Sequence, residues 1–126
     1  RMIRVIYRVT VPGELPGMNE IIKASKYSPY AYSDMKRTNT NLCTLAVRKL
    51  PQLDRIRLKI TYICKNRRRD PDNIAVAKKF ILDGLVRANV IKNDGWKEIA
   101  GWEEYFEVDK KNPRIEIEIE EVKNEG

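Results

Sequence analysis

Residues 67–73 read Arg67-Arg68-Arg69-Asp70-Pro71-Asp72-Asn73, two carboxylates one residue apart behind three arginines. Pro71 fixes its own φ and biases Asp70 toward extended backbone, where alternate side chains can share a site. Carboxylates that close repel each other, and keeping both ionised calls for a cation. A hard divalent ion such as Mg²⁺ takes oxygen ligands and keeps waters that a phosphate can displace. The plainer alternative is local: Asp70 opens a turn and Asp72 caps a helix, where its charge suits the helix dipole. Asp94, in Asn93-Asp94-Gly95, has the same two readings. It is a turn residue, or a third oxygen ligand if the strand after it lies beside the one ending at Cys64. On the intervening helix, 3.6 residues per turn put Lys79 and Asp83 in line with Asp72, with Ile74, Ala77, Ile81 and Leu85 opposite. A charged line on an otherwise apolar helix needs either a ligand or an internal pair, and Lys79–Asp83 at i, i+4 supplies half of the latter.

Other chemistries are excluded by what is missing. The chain has no histidine, which removes Ser-His-Asp and Cys-His nucleophilic machinery. Two cysteines, Cys43 and Cys64, cannot make a zinc site without histidine and are expected to be free, buried thiols. No organic cofactor is indicated. The net charge of +7 is uneven: residues 1–69 carry sixteen Lys and Arg against four Asp and Glu, residues 70–126 nine against fourteen. A basic half suits a polyanion partner, since neutralising phosphates releases counterions. No apolar run is long enough to span a membrane. Met2–Thr10 alternates with Arg4 and Arg8 instead of forming a leader's apolar run, so the expected location is cytoplasmic.

The elements that must position these groups follow from periodicity. Met2–Thr10 reads as a strand, followed by a loop marked by Pro12, Gly13, Pro16 and Gly17. Residues 20–32, with Tyr27, Tyr30 and Tyr32 around Pro29, read as an ordered loop. Ser33 or Asp34 opens a helix to about Leu50, stopped by Pro51. Arg55–Cys64 is the clearest strand, with Ile56, Leu58, Ile60, Tyr62 and Cys64 facing one way and Arg55, Arg57, Lys59 and Thr61 the other. Asp72 or Asn73 opens a second helix that ends near Ala88-Asn89, and strands cover about Trp96–Val108 and Arg114–Val122. The expectation is an α+β domain spanning 1–126, its mixed sheet of about four strands carrying two main helices on one face, with 123–126 frayed. Most of Tyr27, Tyr30, Tyr32, Trp96 and Trp102 are expected to pack in the core, with base stacking as the functional alternative.

Residues 66–96, NRRRDPDNIAVAKKFILDGLVRANVIKNDGW, resemble the RusA family of Holliday-junction resolvases, often carried by phages and prophages. The shared order is a basic run, D-x-D-N, a helix bearing Lys and Asp, and a turn ending in Asp before a strand. Pro16-Gly17-Met18-Asn19 is a fainter echo of the family's turn after the first strand. The central match covers about a quarter of the chain. The resemblance implies a homodimer that binds branched DNA and nicks opposing strands of a four-way junction with Mg²⁺, Mn²⁺ substituting. It implies Asp70, Asp72 and Asp94 as metal ligands, Lys79 as the assisting lysine, and Arg67, Arg68, Arg69 and Lys78 on the DNA. About three extra residues separate Asn73 from the lysine here, nearly one helical turn, so Lys78 is an alternative to Lys79. Asn93 stands where relatives often carry a second acidic residue. Two rival expectations are a non-catalytic DNA-binding module and a nuclease for other branched or single-stranded nucleic acid.

Overall fold

A computed structural model describes residues 4–123, in the order β1 (Ile6–Pro12), α1 (Met18–Tyr27), α2 (Pro29–Val47), β2 (Ile56–Cys64), α3 (Pro71–Ala75), α4 (Lys78–Arg87), β3 (Ile99–Val108) and β4 (Arg114–Glu121). The strands form one mixed sheet ordered β1-β4-β2-β3. β4 pairs antiparallel with both β1 and β2, whereas β2 and β3 run parallel. Parallel neighbours need a crossover, and α3 and α4 lie on the one between β2 and β3. The fold is the expected α+β class. Met2, Ile3 and residues 124–126 lie outside the described residues.

Alternation sorts the two faces of the sheet. Ile56, Leu58, Ile60 and Tyr62 of β2, with Ile115, Ile117 and Ile119 of β4, are all but fully buried and join the helices in one core. The other face is polar and charge-matched: Arg8 of β1 pairs with Glu118 of β4, which pairs in turn with Lys59 of β2, opposite Glu103 of β3. Opposite charges on adjacent strands support the sheet. The glutamates of the acidic half are therefore interleaved with cations of the basic half, and much of the unmatched positive charge sits on α1, α2 and the loop after β2.

Besides β1, which runs on through Val11 and Pro12, and β3, which starts at Ile99 and leaves Trp96 in a turn, three elements differ from expectation. Residues 20–32 are mostly helical, not loop. Glu20 accepts from the Gly17 N–H at 2.7 Å to start α1, and the Ser28 hydroxyl accepts from Ala31 N–H at 3.0 Å to start α2 with Pro29 at its first position. α2 ends at Val47, short of Leu50. The expected second helix is broken: Ala77 N–H donates to Ile74 O, and Phe80 N–H to Ala77 O, so a tight i→i+3 turn separates α3 from α4. α4 crosses α2 at Gly84, where a Cβ would lie 2.7 Å from Cys43 Cβ and 2.9 Å from Thr44 N, so a side chain there would force the helices apart. Asn89 closes α4 with φ 60°, a left-handed conformation that asparagine tolerates. Cys43 and Cys64 are free and buried, as expected. No described helix is long and apolar enough to cross a membrane.

Candidate active site

The acidic motif sits where β2 hands the chain to α3. Asp70 is extended, with φ −72° and ψ 154°, and Pro71 begins α3, the conformation that the proline demands. Asp70 makes no side-chain cap, and Asp72 Oδ1 accepts from the Asn73 N–H at 2.9 Å. Both carboxylates remain exposed. Asn73 anchors the motif to the rest of the fold: its Oδ1 accepts from Asn19 N–H at 3.0 Å, across to the start of α1. A Cβ on Gly17 would lie 2.6 Å from that Oδ1 and 2.9 Å from the Asn73 carbonyl oxygen. Only glycine allows this approach, so the Pro16–Asn19 turn and the Asp70–Asn73 motif are one packed unit.

The three arginines divide. Arg69 is mostly buried; it donates to Leu15 O at 3.0 Å and lies 3.6 Å from Glu14 Oε1, tying the loop after β1 to the end of β2. Arg67 and Arg68 stay exposed. Arg67 and Asp70 line a cavity of about 270 Å³ over Cys64, Ile74, Phe106 and Val108, at the carboxyl ends of the parallel pair. Phe106 closes one wall and stacks on Tyr62 with ring centroids 5.3 Å apart.

The two lysines also divide. Lys78 turns toward β3, donating to Glu104 at 3.0 Å and lying 4.3 Å from the centre of the Trp102 ring. Tyr62 donates its hydroxyl to the same Glu104 at 2.8 Å, and burial followed by this acceptor raises its pKa. Lys78 is thus held inside the protein's own network. Lys79 faces outward, 3.2 Å from Asp83 and 3.8 Å from Asp94. Hydrogen bonding to Asp83, with the charges of Asp83 and Asp94, raises its pKa. It lies in a small groove with Tyr32, Lys36 and Phe80.

The donor chemistry suits a hard divalent ion, because the candidate ligands are carboxylates. Among the described residues, however, no three Cys, Asp or Glu side chains come close enough together to hold an ion. Asp94 is matched by Lys79, and the expected three-aspartate arrangement is not assembled. Asp70 and Asp72 remain as exposed carboxylates, and Mg²⁺ shared with substrate phosphates needs no more than one or two of these.

No protein-family model matches the chain, and no curated protein matches it.

Sequence reasoning missed Glu104 and Phe106, whose roles depend on β3 lying parallel to β2. The aromatic residues expected in the core are also corrected: Tyr27, Tyr30 and Trp96 are 85%, 83% and 97% exposed, and Tyr32 and Trp102 are partly so. Each is carried near a helix end, on a turn or on an edge strand, away from the core.

Proposed function

We propose that this chain is a cytoplasmic, Mg²⁺-dependent endodeoxyribonuclease that acts on branched DNA, resolving four-way junctions by paired nicks as a homodimer. The observation that carries the reading is the Lys79–Asp94 contact at 3.8 Å, because it joins the helix lysine to the turn aspartate across the chain segment between them. The Gly17–Asn73 packing supports it by joining the other two elements of the resemblance.

In this reading Asp70 and Asp72 hold the metal, and Asp94 is the third acidic group of the site. Mg²⁺, or Mn²⁺, bound there would orient the scissile phosphate and acidify an attacking water. Lys79 places positive charge where the phosphate gains negative charge in the transition state. Arg67 and Arg68 hold the DNA backbone on either side, while Arg69 fixes the loop that presents them. A two-fold dimer would set two such sites on opposing strands.

The lack, among the described residues, of three acidic side chains close enough together to hold an ion favours a second reading, a DNA-binding module whose carboxylates serve only as caps and ion pairs. One experiment separates the two: a labelled four-way junction incubated with Mg²⁺ and either wild-type protein or Asp70→Asn. The nuclease reading expects wild-type nicking, abolished in Asp70→Asn, with junction binding kept or tightened. Undiminished nicking by the variant would remove Asp70 from the site, and wild-type binding without nicking would establish the module instead.

A further inference from the structure

Trp96 is the most exposed large apolar side chain among the described residues, at 97%. It does not ride on a loose segment. Val90 and Ile91, just before its turn, are fully buried. The Val90 carbonyl accepts from Leu53 N–H at 2.7 Å, the Gly95 carbonyl from Ile99 N–H at 3.0 Å, and the Glu98 carbonyl from Ile56 N–H at 2.8 Å. The turn is pinned on both sides, and it holds an indole in water two residues after Asp94. Lys92 and Lys97 stand four residues before it and one after it in the chain, and are themselves exposed.

An exposed aromatic side chain on a fixed turn, with cations close by in the chain, is suited to stacking on a base while tracking the phosphates around it. Bases within a continuous duplex are covered by their neighbours on both sides. A stackable face exists only where the helix is interrupted, at a branch, an end or a single-stranded stretch. We infer that Trp96 stacks on an unstacked base at a DNA branch point, with Lys92 and Lys97 on the adjoining phosphates, and so makes the chain prefer branched DNA over duplex. The inference rests on the DNA-directed reading above and adds to it the residue that selects the substrate.

Trp96 and Trp102 are the only tryptophans, so Trp102→Phe leaves Trp96 as the sole indole reporter. The full chain carrying that substitution is titrated in EDTA with a four-way junction and with twice the molar amount of a duplex of matched sequence, so that both present the same number of helix ends. The expected result is strong quenching by the junction and little by the duplex. Trp96→Ala should weaken junction binding about tenfold, in the range measured for base–aromatic stacking, and leave duplex binding within about twofold. The ring touches little of the protein, so the variant is expected to fold, which circular dichroism checks. Equal quenching by both DNAs, or unchanged junction affinity of Trp96→Ala, overturns the inference. So does an emission shift that follows protein concentration without DNA, which would assign the indole to a contact between copies. Because the titration needs no cleavage, wild-type nicking is scored separately. Quenching without nicking leaves Trp96 in place and removes the nuclease, and nicking without selective quenching does the reverse.

Discussion

Replacing Gly17 with alanine tests whether the acidic motif is seated as described. Gly17 has φ −93° and ψ −176°, a conformation open to any residue, so the substitution introduces no backbone strain. The effect is steric. The new Cβ would meet Asn73 Oδ1 at 2.6 Å and the Asn73 carbonyl oxygen at 2.9 Å. The amide can rotate away, at the loss of its bond from Asn19 N–H, about 1 kcal/mol. The carbonyl cannot move without shifting α3, and overpacking of this kind costs about 1–3 kcal/mol. The total is about 2–4 kcal/mol, which for a small domain lowers the urea midpoint by about 1–2 M at unchanged m. Gly101→Ala is the control, because its Cβ would meet nothing within 4 Å, and it should stay within about 1 kcal/mol of wild type. Asn73→Ala removes the first clash but not the second, so the Gly17→Ala/Asn73→Ala double variant should recover about 1 kcal/mol against additivity. A Gly17→Ala midpoint equal to that of Gly101→Ala would show that the turn and the motif are not packed together.

Further expectations concern the charges and thiols. Arg67→Ala should reduce the slope of log affinity for DNA against log salt by about 1, whereas Lys78→Ala, whose charge is spent on Glu104, should leave that slope unchanged and lower stability instead; equal slope changes would contradict the division between them. Lys79 is raised above its ordinary value of 10.5 by Asp83 and Asp94, so its pairing stabilises the fold below that pH and is lost as pH rises through the folded value. Denaturation of wild type and Lys79→Gln should therefore differ at pH 8 and converge as pH rises through the raised folded value, the difference staying under about 1 kcal/mol because the ammonium is well exposed. Burial, reinforced by the charge of Asp83, pushes the Cys43 thiol up to about 12. It should resist iodoacetamide at pH 8 in the native protein and react once urea unfolds it; rapid native labelling at Cys43 would contradict its placement.

How far the sequence could be read depended on what each segment buries. β2 and β4 were legible almost to the residue, because each presents one apolar face to the core and alternates over most of its length. α1 was not: it is short, none of its residues is buried, and Pro16-Gly17 before it and Ser28-Pro29 after it read as breakers. Pro29, which suggested a loop, serves as the first residue of α2 once Ser28 caps it. In the candidate site, the extended Asp70 followed directly from Pro71. The choice between Lys78 and Lys79 did not: the tight turn between α3 and α4 breaks the 3.6-residue phase on which an azimuth is counted. Glu104 and Phe106 were out of reach because strand order, unlike strand location, leaves no local trace.

β3 lies at the rim of the sheet, and among the described residues no strand stands beside one whole side of its backbone. Such rims invite a second chain to extend the sheet. β3 carries Glu103, Glu104 and Glu107, and an antiparallel pairing of two copies centred on Tyr105 would set Glu103 of each opposite Glu107 of the other. Like charges directly across a ladder repel. At neutral pH this rim therefore discourages self-templating, and two copies of this chain would meet more readily elsewhere than edge to edge along β3.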